Sequence, residues 1–175
     1  MIKIPIEKKD IEWAKEQTII FDNQKTHNKY SCDNNYQGIL GEKLFHDWLA
    51  KKRIEHEWLA FIKRGWNDPD FIINNNEIDV KTTTGVALMV SKVQFDYYIF
   101  TRVNPDMKTL YVISYISSKK LQRMINEGRC NIINKDNGKN YLCPIDKMKP
   151  FEGFFPEMFP EDDSWTPEKI RMLNE

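Results

Sequence analysis

One stretch constrains the fold of this chain more than any other, residues 66–84 with the sequence WNDPDFIINNNEIDVKTTT. Phe71 and Ile73 precede a run of asparagines, and Ile78 and Val80 follow it, each pair at the two-residue spacing of a β-strand with one buried face. The central Asn74-Asn75 tolerates the positive φ that a two-residue hairpin loop requires. The stretch therefore predicts a β-hairpin.

The expected pairing brings acidic side chains together on the polar face of this hairpin. A two-residue loop sets Asp70 opposite Asp79, and Lys81 projects from the same face. A three-residue loop would shift the register by one and make the two carboxylates diagonal or bulged neighbours. In either register the two carboxylates converge.

Two carboxylates at close range repel, so one is protonated or a cation lies between them. Lys81 supplies part of the compensation, and a divalent ion supplies more, since Mg²⁺ binds through one or two carboxylates, waters and phosphate oxygens. A lysine beside such an ion is suited to hold and polarise an attacking water. The alternative is the solvated face of a half-exposed hairpin, against which Pro69 counts because it fixes the entry to Asp70.

The remaining pattern predicts an α/β fold with a mixed central β-sheet. The predicted helices cover residues 7–20, residues 39–53 and a segment from Ser117 or Ser118 to Glu127, with a loop at 22–37 and a short helix after Thr166. The predicted strands cover residues 57–63, 70–73, 77–83, 97–103 and 110–116, with short β-like pieces at 130–133 and 141–143.

Composition fits one domain, since 175 residues with 41% hydrophobic and 13% aromatic side chains suffice for a core. The formal charge is zero, so no global positive field announces nucleic acid. The charge is unevenly spread, because residues 151–175 hold seven acids and two bases, a balance of −5 that the first 150 residues offset. A local basic surface is therefore compatible with the sequence.

Compartment is inferred from the cysteines and from hydropathy. Cys32, Cys130 and Cys143 are odd in number, widely spaced and without a CxxC pair, which argues against a disulfide framework and against structural zinc. The chain has no apolar run of about 18 residues for a membrane span, and its start is too charged for a signal peptide. We expect a soluble protein in a reducing cytoplasm.

Pro69-Asp70, a short hairpin and Asp79-Val80-Lys81 together resemble the signature of the PD-(D/E)xK nuclease superfamily, the restriction-endonuclease-like fold. Upstream, GEKLF at 41–45 is similar to the first core helix of that family with its glutamate. Downstream, FDYYIF at 95–100 and YVISYI at 111–116 look like later core strands. The resemblance covers roughly residues 38–127 and implies an αβββαβ core.

The resemblance also implies roles for individual residues. Asp70 and Asp79 are the expected metal-binding carboxylates, the Val80 main-chain carbonyl is a third ligand, and Glu42 completes the shell directly or through water. Lys81 is the expected catalytic lysine. Family members hydrolyse phosphodiester bonds, mostly of DNA, with Mg²⁺, for which Mn²⁺ is expected to substitute.

Further candidates rest on residue type alone. Lys63, Arg64 and Thr82 are predicted to contact nucleic acid, although solvation and strand propensity explain them as well. Glu77 and Asp68 are weaker candidates for the metal. The histidines show no metal-binding spacing and receive no role.

The function expected is a Mg²⁺-dependent nuclease that cleaves DNA by water attack. Two alternatives remain: a non-catalytic DNA-binding or assembly protein on the same fold, and a Holliday-junction-resolvase-like enzyme, against which the zero net charge speaks. A homodimer is possible. The acidic and aromatic tail over 151–175 is expected to pack on the domain, the other readings being an oligomer contact or a nucleic-acid mimic.

Overall fold

The computed structural model of the chain describes residues 1–24, 32–59, 68–135, 138–162 and 164–173. Within these ranges the chain forms ten strands and five α-helices. The strands are β1 (Ile2–Pro5), β2 (Glu57–Trp58), β3 (Phe71–Ile73), β4 (Asn76–Thr83), β5 (Ala87–Val90), β6 (Tyr97–Val103), β7 (Thr109–Ser117), β8 (Asn131–Lys135), β9 (Gly138–Pro144) and β10 (Lys149–Pro150). The helices are α1 (Lys8–Gln24), α2 (Cys32–Lys51), α3 (Ser118–Asn126), α4 (Phe154–Met158) and α5 (Pro167–Met172). None of these helices is long and apolar enough to span a bilayer.

Seven strands form a mixed central sheet in the order β1-β7-β6-β4-β3-β2, with β10 also paired to β7. Strands β4 and β6 run parallel, and the other described pairs of this sheet run antiparallel. A parallel pair needs a crossover connection, which here contains β5, a member of a second, antiparallel sheet of order β5-β9-β8. The predicted α/β class with a mixed central sheet is confirmed, and it is compatible with a restriction-endonuclease-like fold.

Different elements bury the two faces of the central sheet. On β6, Ile99 lies in one hydrophobic core together with Phe45 of α2. The neighbouring Tyr98 and Phe100 lie in a second core together with Leu121 of α3 and with residues of the small sheet. Because successive side chains of a strand point to opposite faces, α2 covers one face, and α3 with the small sheet covers the other.

Three sequence-based boundaries are corrected. Helix α2 begins at Cys32 rather than at residue 39, and α1 continues to Gln24, so most of the predicted loop at 22–37 is helical where it is described. The polar 32–38 segment has no clear apolar period, and it extends a helix that is stabilised further along by packing. The predicted strand at 57–63 is two residues long where described. Strand β5 stands where an αβββαβ order has a helix between its third and fourth strands.

The predicted ends of α3 and start of α5 are confirmed, with a side-chain capping hydrogen bond at Thr166 and none at Ser117. Ser117 is the N-cap of α3, and Gly128 just beyond that helix adopts a φ of +68°. Thr166 caps α5 by accepting a hydrogen bond from the Lys169 main-chain N–H at 3.2 Å. Each of these signals is local, which is why the sequence was sufficient to place them.

The C-terminal aromatic segment packs into the first core, as expected. Phe151, Phe154, Phe155 and Met158 are all at most 3% exposed. The Asn74 side chain in the hairpin turn donates a hydrogen bond to the Met158 carbonyl oxygen at 2.7 Å. The segment therefore covers apolar surface and also contacts the β3–β4 hairpin.

The expectation that the cysteines form no disulfide is wrong for one pair. Cys130 and Cys143 are joined, with their Cα atoms 4.6 Å apart. The register of β8 with β9 pairs Asn131 with Leu142, so the two cysteines are the next residues opposite each other. Spacing along the chain does not reveal this register, and the cysteines no longer support a reducing compartment.

Candidate active site

The β3–β4 turn has the geometry predicted for it. Asn74 and Asn75 adopt φ values of 47° and 59°, as a two-residue type I′ hairpin turn requires. Phe71 pairs with Ile78, which is the register of the two-residue loop and not of the three-residue alternative. This register fixes which side chains of β4 face the first core.

Asp70 lies where β3 begins and is held by the main chain of β4. Its N–H donates to the Ile78 carbonyl at 2.9 Å, and its Oδ2 accepts from the Val80 N–H at 2.7 Å. Pro69 before it has no N–H to donate. The carboxylate thus takes a place along the edge of β4 that a strand carbonyl would otherwise fill.

Asp79 and Lys81 project from β4 toward the second core. Their partners in parallel register are Tyr98 and Phe100 of β6. Asp79 is 4% exposed, and the Lys81 Nζ donates to its Oδ1 at 2.8 Å and lies 2.7 Å from its Oδ2. The contact with Oδ2 is an ion pair without hydrogen-bond alignment, so this buried oxygen has no hydrogen-bond partner.

Glu42 reaches the same group from α2. The preceding Gly41 allows a close approach, because a Cβ at that position would lie 1.9 Å from the Thr82 Oγ1 on β4. Glu42 itself is buried at 6% exposure. Its charge acts on both Asp70 and Lys81, which places it beside the strand residues.

Electrostatics show that the four side chains form one cluster. Burial raises the pKa of Asp70 well above its usual range, and the charges of Glu42 and Asp79 raise it further. Burial alone would lower the pKa of Lys81, but the charges of Asp79 and Asp70 outweigh it and raise that pKa. Three carboxyl groups and one ammonium give the site a surplus of acidic groups, which a cation would relieve.

The residues fit a magnesium ion by their chemistry. Carboxylate oxygens are the ligands that Mg²⁺ prefers, and the ion needs only one or two of them beside its waters. The buried Asp79 Oδ2 without a hydrogen bond is an available ligand. As they stand, no three His, Cys, Asp or Glu side chains among the described residues form a ready-made metal cage. Lys81 contacts both Asp79 oxygens, and Val80 N–H engages Asp70.

The other predicted site residues are less clearly part of this cluster. The Val80 main chain adjoins Asp70 through its N–H, while metal binding by its carbonyl stays a prediction. Thr82 faces α2, and its hydroxyl accepts a hydrogen bond from the Thr101 hydroxyl of β6 at 2.9 Å, so its side chain lies on the opposite sheet face from that of Lys81. Lys63 and Arg64 lie outside the described residues.

The two weaker metal candidates are both exposed. Glu77 is exposed on β4, and its N–H donates to the Asp96 Oδ2 at 2.9 Å. Asp68 is exposed at the start of the segment that leads into β3. The leading charge effects on the pKa of Asp70 come instead from Glu42, Asp79 and Lys81.

A histidine pair near the cluster was not foreseen. His46 lies one helical turn after Glu42 on α2, and its Nδ1 is 2.8 Å from the Nε2 of His56. The His46 ring stacks on Trp58 at 4.4 Å, and Trp58 pairs with Phe71, the neighbour of Asp70. The spacing from Glu42 to His46 was a signal, but the partner is ten residues further along the chain.

Comparison with known proteins gives one structural neighbour to report. No family model and no curated protein sequence matches the chain. The structure of a nuclease from a fusselovirus aligns with a TM-score of 0.39 and 13% sequence identity, covering 81% of this chain and all of that one.

Proposed function

We propose that this protein is a metal-dependent nuclease that hydrolyses phosphodiester bonds of DNA. The observation that carries the proposal is the convergence of Glu42, Asp70, Asp79 and Lys81 at one edge of β4. The order of these residues along the chain is that of the PD-(D/E)xK signature, to which the sequence bears a resemblance. Magnesium is the proposed ion, with Mn²⁺ as its substitute.

Each side chain has a distinct part in the proposed reaction. Asp70 and Asp79 would hold the ion, with Glu42 binding it directly or through a water and the Val80 carbonyl as a further ligand. When bound, the ion would lower the pKa of a coordinated water and offset charge on the phosphate. Lys81 Nζ would donate hydrogen bonds to the attacking water or to a phosphate oxygen.

Cleavage assays test the proposal directly. Purified protein should nick or linearise DNA in Mg²⁺ or Mn²⁺, and a chelator should stop it. We expect Asp79→Asn, Lys81→Met and Glu42→Gln each to lower cleavage by at least about 100-fold, the scale of losing a group that stabilises the transition state. Glu77→Gln is the matched control, because it removes an exposed carboxylate from the same strand.

Two results would overturn the proposal. One is full cleavage by Asp79→Asn, which would show that the cleavage does not depend on the proposed site. The other is no cleavage of double-stranded, single-stranded or branched DNA, or of RNA, by protein that binds Mn²⁺ in calorimetry. That second result would favour the non-catalytic DNA-binding alternative on the same fold.

A further inference from the structure

Positive charge is concentrated in one part of the chain. Residues 84–150 hold eleven Lys and Arg against five Asp and Glu, a balance of +6, and the rest of the chain balances it at −6. This part contains β5, the small sheet and α3, the elements that cover the sheet face from which Asp79 and Lys81 project. Eight of the eleven cations lie in or beside these covering elements, whereas Arg102, Lys108 and Lys149 lie in or beside strands of the central sheet.

The solvent face of α3 is rich in hydrogen-bond donors. Lys119, Gln122, Arg123 and Asn126 are all exposed on this helix, whereas Leu121 and its apolar neighbours are buried. No acidic residue lies within α3. Among the described residues, neither Lys119 nor Arg123 has an ion-pair partner, unlike several other surface lysines of this chain.

A loop that is anchored near the candidate active site continues this surface. The Tyr98 hydroxyl donates to the Lys92 carbonyl at 3.2 Å and accepts from the Gln94 N–H at 2.8 Å. Tyr98 is the neighbour of Asp79 in register, and the charges of Asp79 and Lys81 act on it. Lys92 is exposed and, within the described part of the chain, has no ion-pair partner.

The loop and the helix are continuous at the surface. A recess of about 290 Å³ lies between them, lined by residues 93–96 of the loop and by Ser118, Lys119 and Gln122 of α3. Its one acidic residue, Asp96, is engaged through Oδ2 by the Glu77 N–H. Gln94 of the loop therefore shares one recess with Lys119 and Gln122 on the outer face of α3.

We propose that Lys92, Lys119 and Arg123 form a surface, here called the α3 surface, that binds the phosphate backbone of DNA without reading its sequence. Regularly spaced phosphates match exposed cations that lack acidic partners, and such contacts position a duplex. This assignment deepens the proposed function and rests on it for the identity of the substrate. It adds three residues that the sequence did not single out as contacts.

Binding measured without catalysis tests the α3 surface. Fluorescence anisotropy of a labelled DNA duplex in chelator would give the affinity of the full-length protein across a range of salt concentrations. Each lost phosphate contact should reduce the slope of log affinity against log salt by about 0.9. The Lys92→Ala/Lys119→Ala/Arg123→Ala variant should therefore lose about 2.7 from that slope.

Matched variants distinguish the effect of local phosphate contacts on the salt slope from the effect of net charge. Lys3→Ala/Lys8→Ala/Lys51→Ala removes the same charge from exposed positions on β1, α1 and α2, and its slope should stay at the wild-type value. Lys119→Arg/Arg123→Lys keeps both charges and should bind as wild type. An equal loss of slope in the control triple variant, or tighter binding to an RNA duplex than to DNA, would overturn the proposal.

The two proposals fail in different ways. If the α3 surface is wrong, the Lys92/Lys119/Arg123 variant binds as wild type while Asp79→Asn still abolishes cleavage. If the nuclease proposal is wrong, no substrate is cleaved, while the salt slope still depends on the α3 surface. The binding readout contains no metal, so it does not depend on turnover.

Discussion

Asp70 illustrates how a residue can serve function against stability. Its carboxyl group is held at the edge of β4, where burial and two neighbouring carboxyl groups disfavour its charge. Such an arrangement destabilises the metal-free protein and favours a bound cation. The unfavourable free energy of burying the Asp70 carboxyl group is thus the physical basis of the proposed metal binding.

Asp70→Asn should therefore stabilise the metal-free protein. The amide oxygen still accepts from the Val80 N–H, and a neutral amide avoids the cost of either ionising the buried carboxyl group or holding a proton on it in the folded state. Each kcal/mol of relief raises the Tm of a chain this size by about 2–4 °C, measured by calorimetry in chelator. Adding Mn²⁺ should raise the Tm of wild type and leave that of the variant unchanged. A lower Tm for the variant in chelator would contradict this account.

The histidine pair predicts a pH dependence of stability. Burial lowers the pKa of His46, and His56 and Lys43 lower it further against an opposing effect of Asp47. The unfolded chain then binds the proton more readily, so stability falls as pH drops below the ordinary value of about 6.5. His46→Phe keeps the ring against Trp58 but removes this titration.

Urea unfolding at several pH values checks the sign of this effect. Between about pH 8 and about pH 5.5, wild type should lose more stability than His46→Phe. Asp70 titrates in both proteins with the opposite sign, because its pKa is raised, so the difference between the two curves isolates the histidine. Parallel curves would show that the pair does not act on stability.

At the scale of elements, the contact of α2 with β4 determines where Glu42 lies. Gly41 meets Thr82 at a distance that admits no side chain, whereas Gly38, one turn earlier, has no atom within 4 Å of an added Cβ. The two glycines of one helix therefore have different reasons to be there. Gly41 permits close packing of α2 on β4, whereas Gly38 only weakens the helix.

Alanine substitutions at these two glycines should have opposite effects. Gly38→Ala should stabilise the protein by about 0.5–1 kcal/mol through helix propensity. Gly41→Ala should destabilise it by about 1–3 kcal/mol through overpacking. Gly41→Ala should also reduce cleavage, because moving α2 away from β4 withdraws Glu42. Similar denaturation midpoints for both variants would mean that the helix does not approach the strand this closely.

The disulfide between Cys130 and Cys143 belongs to the small sheet. It joins residues at the open ends of β8 and β9, thirteen apart in the chain. A loop of this size predicts a stabilisation of about 3 kcal/mol, which Cys130→Ala/Cys143→Ala should remove in urea unfolding. Alkylation of the unreduced protein in denaturant, followed by mass spectrometry, should leave Cys130 and Cys143 unlabelled. Three labelled cysteines would show that the bond does not form under those conditions.

At the scale of the whole molecule, local signals predicted more than long-range ones. The hairpin itself followed from its asparagine turn, with two registers left open, and the α3 boundaries followed to within one residue from Ser117 or Ser118 and from Gly128, because each signal lies within its own turn. The convergence of Glu42 with the hairpin acids came from a family resemblance, since a helix and a strand so far apart in sequence carry no shared periodicity. The homodimer stays a prediction.

Contacts that depend on how separate elements pack together could not be predicted from the sequence. The pairing of Cys130 with Cys143, the His46–His56 contact and the anchoring of the Lys92 loop by Tyr98 all join separate elements. Strands β1 and β5 have four residues each, too short for their alternation to stand out from the surrounding chain.

The hydrogen bond from Asn74 to Met158 ties the C-terminal segment to the hairpin that carries Asp79. A fragment that ended before Phe151 would uncover the apolar floor under the hairpin and release its turn. An expression boundary, affinity tag or protease site placed in that region would therefore disturb the packing under the hairpin. Residues 151–158 thus support the hairpin from the side of the first core.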